Sequence, residues 1–263
     1  MLRPRIIACL LVHEGGLVKT TKFRDPKYVG DPINAVKIFN EKEADELMVL
    51  DIDATATGAE PNVRLISQFA AECRMPLCYG GGVKTAEQAK RIIGLGVEKV
   101  AISSAAIERP ELIAEIAEAV GSQSVVVVLD AKKKLLGGWE VWTHNGRKAT
   151  GRSVADMAKL AAERGAGEVV VNSIDQDGVM SGYDLALARK VREAIRLPIS
   201  VLGGAGSLAD LGTLIAECGV VGAAAGSLFV FKGAYRAVLI SYPAPAQKEE
   251  LVRSNLACAG PRR

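Results

Sequence analysis

The sequence predicts an α/β protein, a single (β/α)8 TIM barrel that is built from two fused half-barrels. Three observations predict it: short apolar runs alternate with segments of helical period, no break in composition separates them, and the second half of the chain repeats part of the first. A length of 263 residues is usual for one barrel of this type. We therefore predict one domain over residues 1–243 and a loosely ordered tail over residues 244–263.

The predicted strands are mostly apolar on both faces, which is typical of a parallel sheet covered by helices. They are Ile6–Val12, Leu47–Ile52, Leu77–Tyr79, Lys99–Ile102, Ser124–Asp130, Glu168–Ser173, Ile199–Leu202 and Val220–Ala225. The clearest helical segments between them are Asp31–Lys42, Ala86–Leu95, Ser153–Arg164 and Asp184–Arg196. Asp31 and Ser153 are suitable N-cap residues, and Pro32 suits the first helical position.

Two stretches of the chain repeat at nearly the same distance. Residues 80–104 match residues 203–227 at an offset of 123, and both stretches begin with a glycine cluster. Glu46–Asp53, ELMVLDID, matches Glu168–Asp175, EVVVNSID, at an offset of 122. The repeat indicates two half-barrels of four strand–helix units each, so a site in one half is expected to have a counterpart in the other.

The glycine clusters follow the predicted third and seventh strands and precede helices. At the C-terminal rim of a barrel, glycine lets backbone N–H groups approach an anion, and the helix dipole favours negative charge. A small hydroxyl residue follows the next strand in each half. Two phosphate sites on opposite sides of one mouth would suit a long bisphosphate ligand, whereas tight strand-to-helix turns are the alternative explanation. The phosphate-binding residues predicted from this pattern are Gly82, Ser103, Ser104, Gly204, Ala205, Gly226 and Ser227.

Acidic residues stand at the ends of several predicted strands: Asp51, Asp53, Asp130, Asp175 and Asp177. Asp130 ends the run Ser-Val-Val-Val-Val-Leu-Asp and is expected at the barrel mouth, partly removed from water. A carboxyl group in such a place can act as a general acid or base, which contributes about 10²–10⁴-fold in rate. A helix cap or a structural hydrogen bond is the alternative for each of these residues.

Charged residues also occupy the starts of four predicted strands, at the opposite end of the barrel: Arg5, Glu46, Lys99 and Glu168. Their side chains are expected to converge beneath the barrel floor. From the residues alone, a ring of salt bridges that closes the floor is favoured over a polar gate to a passage through the barrel.

Composition excludes several functions. The chain has 33 basic and 30 acidic residues, and a net charge of +3 argues against a nucleic-acid binder held by bulk charge. With two histidines, a histidine-built metal site is not expected, and no metal or cofactor is predicted. Five scattered cysteines indicate reduced thiols, and the N-terminal apolar run is too short for a membrane span. We expect a cytoplasmic protein.

Two polar segments border the predicted mouth. Residues 13–30 contain His13 and Lys19 and form either a glycine-hinged loop that closes over a ligand or a solvated loop. Trp139 and Trp142, between turn-forming glycines, predict a small hairpin after the fifth strand, with aromatics that pack rather than stack on a ligand.

Taken together, these residues resemble the HisF family, the cyclase subunits of imidazole glycerol phosphate synthase, a lyase of histidine biosynthesis. The similarity runs from residue 5 to about residue 231, nearly the whole barrel. The matching segments are Ile6-Ile7-Ala8-Cys9-Leu10, Gly80-Gly81-Gly82, Asp130-Ala131-Lys132, Ser173-Ile174-Asp175-Gln176-Asp177-Gly178, Ser181-Gly182-Tyr183-Asp184 and Gly203-Gly204-Ala205-Gly206.

The resemblance implies that a HisH-like glutaminase docks on the N-terminal face as a heterodimer partner and releases ammonia, which crosses the barrel to a phosphorylated substrate. The four charged residues at the strand starts fall on the family's ammonia gate, so the gate is now preferred over a purely structural ring. The resemblance also makes Asp130 a catalytic residue and adds Lys19, Asp177 and Gly178 to the substrate-binding residues.

The sequence departs from the family pattern at the mouth. The family has a catalytic aspartate in the first strand, and Leu11 occupies that position here, so one of two proton-transfer groups is missing. Ser103, Val179 and Leu202 replace a family asparagine, threonine and serine. The segment 230–243 is similar to a branch called WbuZ or second HisF, which is associated with sugar amidation in O-antigen biosynthesis.

Three functions stay open. We favour a HisF-type synthase subunit that carries ammonia to a phosphate-containing or nucleotide-sugar substrate, with a sugar amidotransferase as a further partner. The second is a working cyclase of histidine biosynthesis that uses Asp130 alone. The third is a non-catalytic scaffold for the glutaminase.

Overall fold

The computed structural model describes residues 3–233 and 235–256. Its strands are β1 Arg5–His13, β2 Gly16–Thr21, β3 Arg24–Gly30, β4 Glu46–Asp51, β5 Leu77–Gly80, β6 Lys99–Ile102, β7 Val125–Lys133, β8 Trp139–Thr143, β9 Lys148–Ser153, β10 Glu168–Ser173, β11 Ile199–Leu202, β12 Gly222–Ala225, β13 Phe231–Lys232 and β14 Ala237–Val238. Its helices are α1 Pro32–Glu41, α2 Ala54–Thr57, α3 Val63–Glu72, α4 Ala86–Gly94, α5 Ser104–Glu108, α6 Glu111–Val120, α7 Val154–Glu163, α8 Leu185–Ala194, α9 Leu208–Cys218, α10 Ser227–Val230 and α11 Pro245–Leu256. Short 3-10 turns cover Ser122–Ser124 and Ile174–Gln176.

The predicted (β/α)8 barrel is confirmed. The strands β1, β4, β5, β6, β7, β10, β11 and β12 pair in that order, every pair is parallel, and β12 pairs with β1 to close the ring. These strands are the eight predicted apolar runs, with ends that differ by at most three residues. They are apolar on both faces because helices cover the outside and side chains from the strands fill the inside.

Apolar side chains form two separate cores. The larger core lies between the strands and the surrounding helices and includes Phe39, Phe69 and Phe229. The smaller core consists of the side chains that point into the barrel: Ile7, Cys9, Met48, Cys78, Ala101, Val126, Val128, Val170, Leu202 and Ala224. This inner core lies between the floor of the barrel and its mouth.

Each half-barrel carries one antiparallel hairpin at the mouth. β2 and β3 extend β1, and β8 and β9 extend β7. The second hairpin is the one predicted around Trp139 and Trp142. The first hairpin replaces the loop expected over residues 13–30, because residues 17–20 are buried and β2 pairs with β1.

The helices that follow the two glycine clusters begin alike. Thr85 and Gln88 form a capping box at the start of α4, and Ser207 and Asp210 form one at the start of α9. The equivalent starts agree with the predicted duplication. The predicted N-caps are confirmed at Asp31 and Ser153.

The C-terminal segment differs from the loosely ordered tail that was expected from residue 244. α11 occupies most of it and packs against α9. The buried Lys248 donates from Nζ to a carboxylate oxygen of Asp45 at 2.7 Å, and the Tyr242 hydroxyl donates to the carbonyl oxygen of Ile6 at 2.7 Å. These polar contacts hold the segment to the barrel together with Leu251, Val252 and Leu256, which pack against the larger core. Residues 257–263 of the predicted tail lie outside the described residues.

Candidate active site

A cavity of about 540 Å³ opens at the C-terminal ends of the barrel strands, and residues of both half-barrels line it. The eleven residues predicted at the mouth all line this cavity: Asp130, Lys19, Gly82, Ser103, Ser104, Asp177, Gly178, Gly204, Ala205, Gly226 and Ser227. The fold therefore brings the predicted catalytic and binding residues together, although the role of each stays a prediction.

Asp130 is the carboxyl group of the cavity that is best suited to proton transfer. Burial raises the pKa of Asp130 to about 7, although a hydrogen bond from Asn172 Nδ2 to Oδ1, at 3.0 Å, acts to lower it. The charge of Asp177 raises the pKa further, while the nearby Ser103 hydroxyl lowers it without reaching hydrogen-bond geometry. A carboxyl group that exchanges its proton near neutral pH is a suitable general acid or base.

The register of the parallel strands sets Asp130 beside Asn172 and Leu11 beside Leu50. The β1–β4 pair of the first half-barrel corresponds to the β7–β10 pair of the second. Counted from the start of each pair, Leu11 and Leu50 have the same position as Asp130 and Asn172. Leu11 and Leu50 pack against the inner core, and both line the cavity. At this depth in the mouth, the second half-barrel therefore contributes polar side chains and the first half-barrel contributes apolar ones.

Lys19 is buried in the first hairpin rather than solvated. Its Nζ donates to the carbonyl oxygen of Cys9 at 2.6 Å, and burial lowers the pKa of Lys19. A methyl group at Gly226 would lie 2.7 Å from Nζ, so glycine at this position lets the ammonium group lie against the backbone. A buried cation beside this turn and the hydroxyl of Ser227 is a suitable environment for a phosphate group.

The glycine clusters have backbone conformations that side chains would strain. Gly82 has φ +72° and Gly204 has φ +109°. A Cβ atom would lie 2.7 Å from the carbonyl oxygen of Ala59 at Gly82, and 2.1 Å from that of Gly182 at Gly204. The tight approach of neighbouring loops thus requires glycine at both rims, whether or not a phosphate binds there.

Three of the remaining strand-end carboxylates hold loops in place. Asp51 accepts from two backbone N–H groups at the start of α2, at 2.9 and 3.2 Å. Asp175 accepts from the backbone N–H of Lys133, at 2.8 Å. Asp177 accepts from the Thr20 hydroxyl at 2.7 Å and from a backbone N–H in the turn of the first hairpin at 3.0 Å. The contacts of these three residues are therefore helix-cap or structural hydrogen bonds, the alternative to general acid–base catalysis given above.

The four charged residues at the strand starts form one ring at the opposite end of the barrel. Lys99 Nζ lies 2.8 Å from Glu46 and 2.9 Å from Glu168, and Arg5 contacts the same two carboxylates. Burial disfavours the charged forms, but the carboxylates outweigh it and raise the pKa of Lys99, and the two cations lower the pKa of Glu168. The charges of the ring are thus paired in the barrel floor.

Sequence reasoning missed Asn172, and it named His13 and Asp53 separately without predicting their contact. Asn172 donates a hydrogen bond to Asp130, and the signal that could have found it is a polar residue directly after the apolar run Val-Val-Val. His13 and Asp53 both line the cavity and contact each other, Nδ1 to Oδ1, at 2.6 Å. Their contact depends on the pairing of β1 with β4, which the sequence alone does not specify residue by residue.

Within residues 3–233 and 235–256, no group of three or more His, Cys, Asp or Glu side chains is arranged to hold a metal ion. Across the same residues, no helix has the length and apolar character that a membrane crossing requires.

The chain matches the family profile described as "Histidine biosynthesis protein" over residues 5–236. It is 57% identical over 252 residues to a protein of Leptospira borgpetersenii, and 54% identical over 243 residues to one of Pseudomonas aeruginosa. These alignments cover 95% and 92% of this chain, and 99% and 97% of the relatives, which are provisionally named imidazole glycerol phosphate synthase subunits HisF and hisF2. Imidazole glycerol phosphate synthase subunit HisF of Halalkalibacterium halodurans is 42% identical over 233 residues, which cover 88% of this chain and 92% of that protein.

Proposed function

The chain belongs to the histidine biosynthesis family as a HisF-type subunit, and from this membership we propose that its barrel takes ammonia from a HisH-like glutaminase to a phosphate-containing or nucleotide-sugar substrate. The reaction that we propose is a sugar amidation in O-antigen biosynthesis, with a sugar amidotransferase as a further partner. The observation that carries the proposal is the contrast between the two ends of the barrel. The charged ring in the floor is complete, whereas Leu11 and Leu50 stand where the mouth would otherwise carry a second polar pair.

The floor and the inside of the barrel are suited to ammonia transfer. Ammonia in its neutral form needs no charged partners, so the apolar inner core can admit it without a proton exchange. The glutaminase would dock on the N-terminal face, where 18% of the Lys99 side chain is exposed beside the two buried carboxylates. In this proposal Lys99 leaves Glu46 and Glu168 when the partner binds, which opens the gate.

The mouth is suited to a ligand with phosphate at its ends. The two glycine turns lie in opposite half-barrels, and the cavity volume is in the range of small-molecule sites. Lys19 provides a buried cation beside Gly226, in the turn that follows β12.

A second function, the ammonia-dependent cyclisation of histidine biosynthesis, is favoured by one specific observation. Asp130 keeps both its cavity position and its Asn172 partner, so one proton-transfer group of a cyclase is in place. The chain would then be a lyase that works with a single carboxyl group.

Two assays separate these functions. The purified chain is given ammonium and the bisphosphate substrate of the histidine pathway, and a mixture with the glutaminase and the amidotransferase is given a nucleotide-linked N-acetyl sugar. We expect amidine formation in the mixture to depend on this chain, and cyclisation about 10²–10⁴-fold slower than in an ordinary cyclase, because one proton-transfer group is missing. Cyclisation at an ordinary rate would establish the second function instead.

Substitutions extend these assays to the mouth and the gate. Leu11→Asp should increase cyclisation and Leu11→Asn should not, since only the carboxyl group exchanges a proton. Asp130→Ala without effect on amidine formation would support the scaffold. Lys99→Ala should change the use of glutamine but not of free ammonium, and equal effects on both would contradict a channel.

A further inference from the structure

A histidine stands on the same strand face as Leu11, one step nearer the rim. Residues two apart in a strand point to the same side, and Ile7, Cys9 and Leu11 of β1 belong to the inner core or pack against it. His13 continues this row, lines the cavity, and has 32% of its side chain exposed. The imidazole is therefore accessible to a ligand in the mouth.

Asp53 fixes the orientation of this imidazole. Its Oδ1 lies 2.6 Å from His13 Nδ1, and its Oδ2 accepts from the backbone N–H of Glu14 at 2.6 Å. A carboxylate at Nδ1 keeps the proton of the neutral ring on that nitrogen and leaves Nε2 available. In the part of the chain that the structure describes, no hydrogen bond to Nε2 is present, so this nitrogen can accept one from a ligand.

We propose that His13, oriented by Asp53, is the second proton-transfer residue of the mouth and acts together with Asp130 on the bound substrate. Asp53 is then a positioning residue. The inference rests on the proposed function, since it states how that site moves protons. It follows from the duplicated barrel: the second half-barrel supplies Asp130, the first half-barrel offers Leu11 at the same depth, and the next residue on that strand face is His13.

For the reaction, one of His13 and Asp130 must be protonated and the other must not be. When ammonia adds to a C=O or C=N carbon, its lone pair forms the N–C bond and the π electrons move to the oxygen or nitrogen atom. That atom takes a proton from one of the two residues, and the attacking nitrogen gives a proton to the other. For an amide, this adduct then loses water: the C–O bond breaks, the hydroxyl takes a proton from one residue and leaves as water. The lone pair of the added nitrogen forms the C=N bond of the amidine, and that nitrogen gives a proton to the other residue. The number of protons on the pair is unchanged, and ammonia and the amide give the amidine and water.

The surroundings of each group raise its pKa above the ordinary value. The hydrogen bond with Asp53 raises the pKa of His13, partial burial acts to lower it, and the charges of Asp53, Glu14 and Asp51 raise it further. Because the pKa of Asp130 is raised to about 7 and that of His13 is raised as well, the singly protonated pair is most abundant between the two apparent pKa values of the pair. The rate relative to the concentration of neutral ammonia is therefore expected to be bell-shaped in pH, with both limbs belonging to the pair.

The position of His13 also indicates the class of substrate. Two residues of strand place it about 7 Å beyond Leu11 along β1. The reacting carbon is therefore expected nearer the rim than a carbon held between positions 11 and 130. An amide carbonyl or imine carried on the arm of a phosphorylated sugar fits this depth.

The test compares variants in the three-protein mixture, with free ammonium as the nitrogen source, a nucleotide-linked N-acetyl sugar as the probe and pH as the variable. We expect His13→Gln to lower kcat about 10²-fold or more with little change in KM, and to remove one limb of the pH profile. Asp53→Asn should reduce kcat less and shift that limb to lower pH, because the carboxylate that raises the pKa of His13 is gone. His13→Ala should regain activity when imidazole is added, which a merely structural role would not allow.

The outcomes separate this inference from the proposed function. If the wild-type chain supports no amidine formation, the proposed function fails, and this inference fails with it. If the wild-type chain is active, His13→Gln with unchanged kcat and pH profile overturns the inference alone. Circular dichroism and the Tm of each variant show whether the fold is kept, and imidazole rescue of His13→Ala decides the case if His13→Gln unfolds.

Discussion

Replacement of Lys99 by methionine tests the charged ring at the barrel floor without any partner protein. Methionine keeps the length of the side chain but removes the ammonium group that lies 2.8 Å from Glu46 and 2.9 Å from Glu168. The side chains of these glutamates are only 2% and 6% exposed, so the variant leaves two carboxylates in the floor with Arg5 as their remaining cation. The variant is therefore expected to be less stable than the wild type.

The magnitude follows from what remains in the ring. Removal of one partner from a buried ion pair costs about 3–5 kcal/mol. Arg5 still contacts both carboxylates, and 18% of the Lys99 side chain reaches solvent, so we expect about 2–3 kcal/mol for Lys99→Met. For a chain of this size that corresponds to a decrease in Tm of roughly 5–10 °C.

The dependence on pH has a definite sign. The cations lower the pKa of Glu168, so the stabilisation by this group is complete above its unfolded pKa of about 4.3 and is lost as the pH falls through the folded value. Lys99→Met removes one of the two cations that lower the pKa of Glu168. The Tm difference between wild type and variant should accordingly be largest at neutral pH and decrease on acidification below about pH 4.5.

Thermal unfolding of the purified chain from about pH 7 down to about pH 3 measures both effects. Lys37→Met is a matched control, because Lys37 pairs with Glu72 at 3.5 Å on the surface, where ion pairs contribute at most about 1 kcal/mol. Lys99→Met with Glu168→Gln should be more stable than Lys99→Met alone, since Arg5 then faces one buried carboxylate charge instead of two. A Tm loss at pH 7 no larger than that of Lys37→Met would refute the reasoning.

Two further predictions concern the mouth. Asp130→Asn should stabilise the protein at alkaline pH. The pKa of Asp130 is about 7 in the folded protein, which is above the unfolded value, so the wild type loses stability as the pH rises from about 4 through 7. This loss is on the order of 4 kcal/mol. Chemical denaturation at pH 5 and pH 8 measures this, and an equal difference between wild type and variant at both values would contradict it. Gly204→Ala should destabilise the protein by several kcal/mol and weaken the binding of inorganic phosphate, because the new methyl group would lie 2.1 Å from the Gly182 carbonyl oxygen at φ +109°. Gly15→Ala, at φ +76° with no atom within 4 Å, should show only backbone strain of about 1 kcal/mol, and similar losses in the two variants would show that the predicted clash is relieved.

The barrel and the location of its mouth could be predicted because both depend on patterns that repeat. Apolar runs with the strand period, helix caps such as Asp31, and the repeat at offsets of 122 and 123 each indicate the same architecture. The residues at the C-terminal strand ends then share one rim, as in any parallel barrel. The cavity therefore contains the predicted Asp130 and both glycine turns.

The unpredicted parts depend on which residues meet across the fold. Asn172 reaches Asp130 only through the register of β7 and β10, and His13 reaches Asp53 only where β1 and β4 end side by side. α11 is held by contacts such as Lys248 with Asp45, and these leave no periodic apolar signal. Partner choice of this kind is a property of the tertiary structure and not of local sequence.

The duplication limits where a second proton-transfer group can come from. Apart from its strand ends, the inward face of β1 carries Ile7, Cys9 and Leu11, of which Cys9 is buried with its pKa raised to about 11 by burial. Cys9 thus stays a neutral thiol near pH 7, and Leu11 has no exchangeable proton. A reaction that uses a proton-transfer residue from each half-barrel is therefore expected at the rim, where His13 lies. A reaction that uses Asp130 alone can take place deeper in the mouth. The depth at which the substrate reacts is what distinguishes the proposed sugar amidation from cyclisation in this barrel.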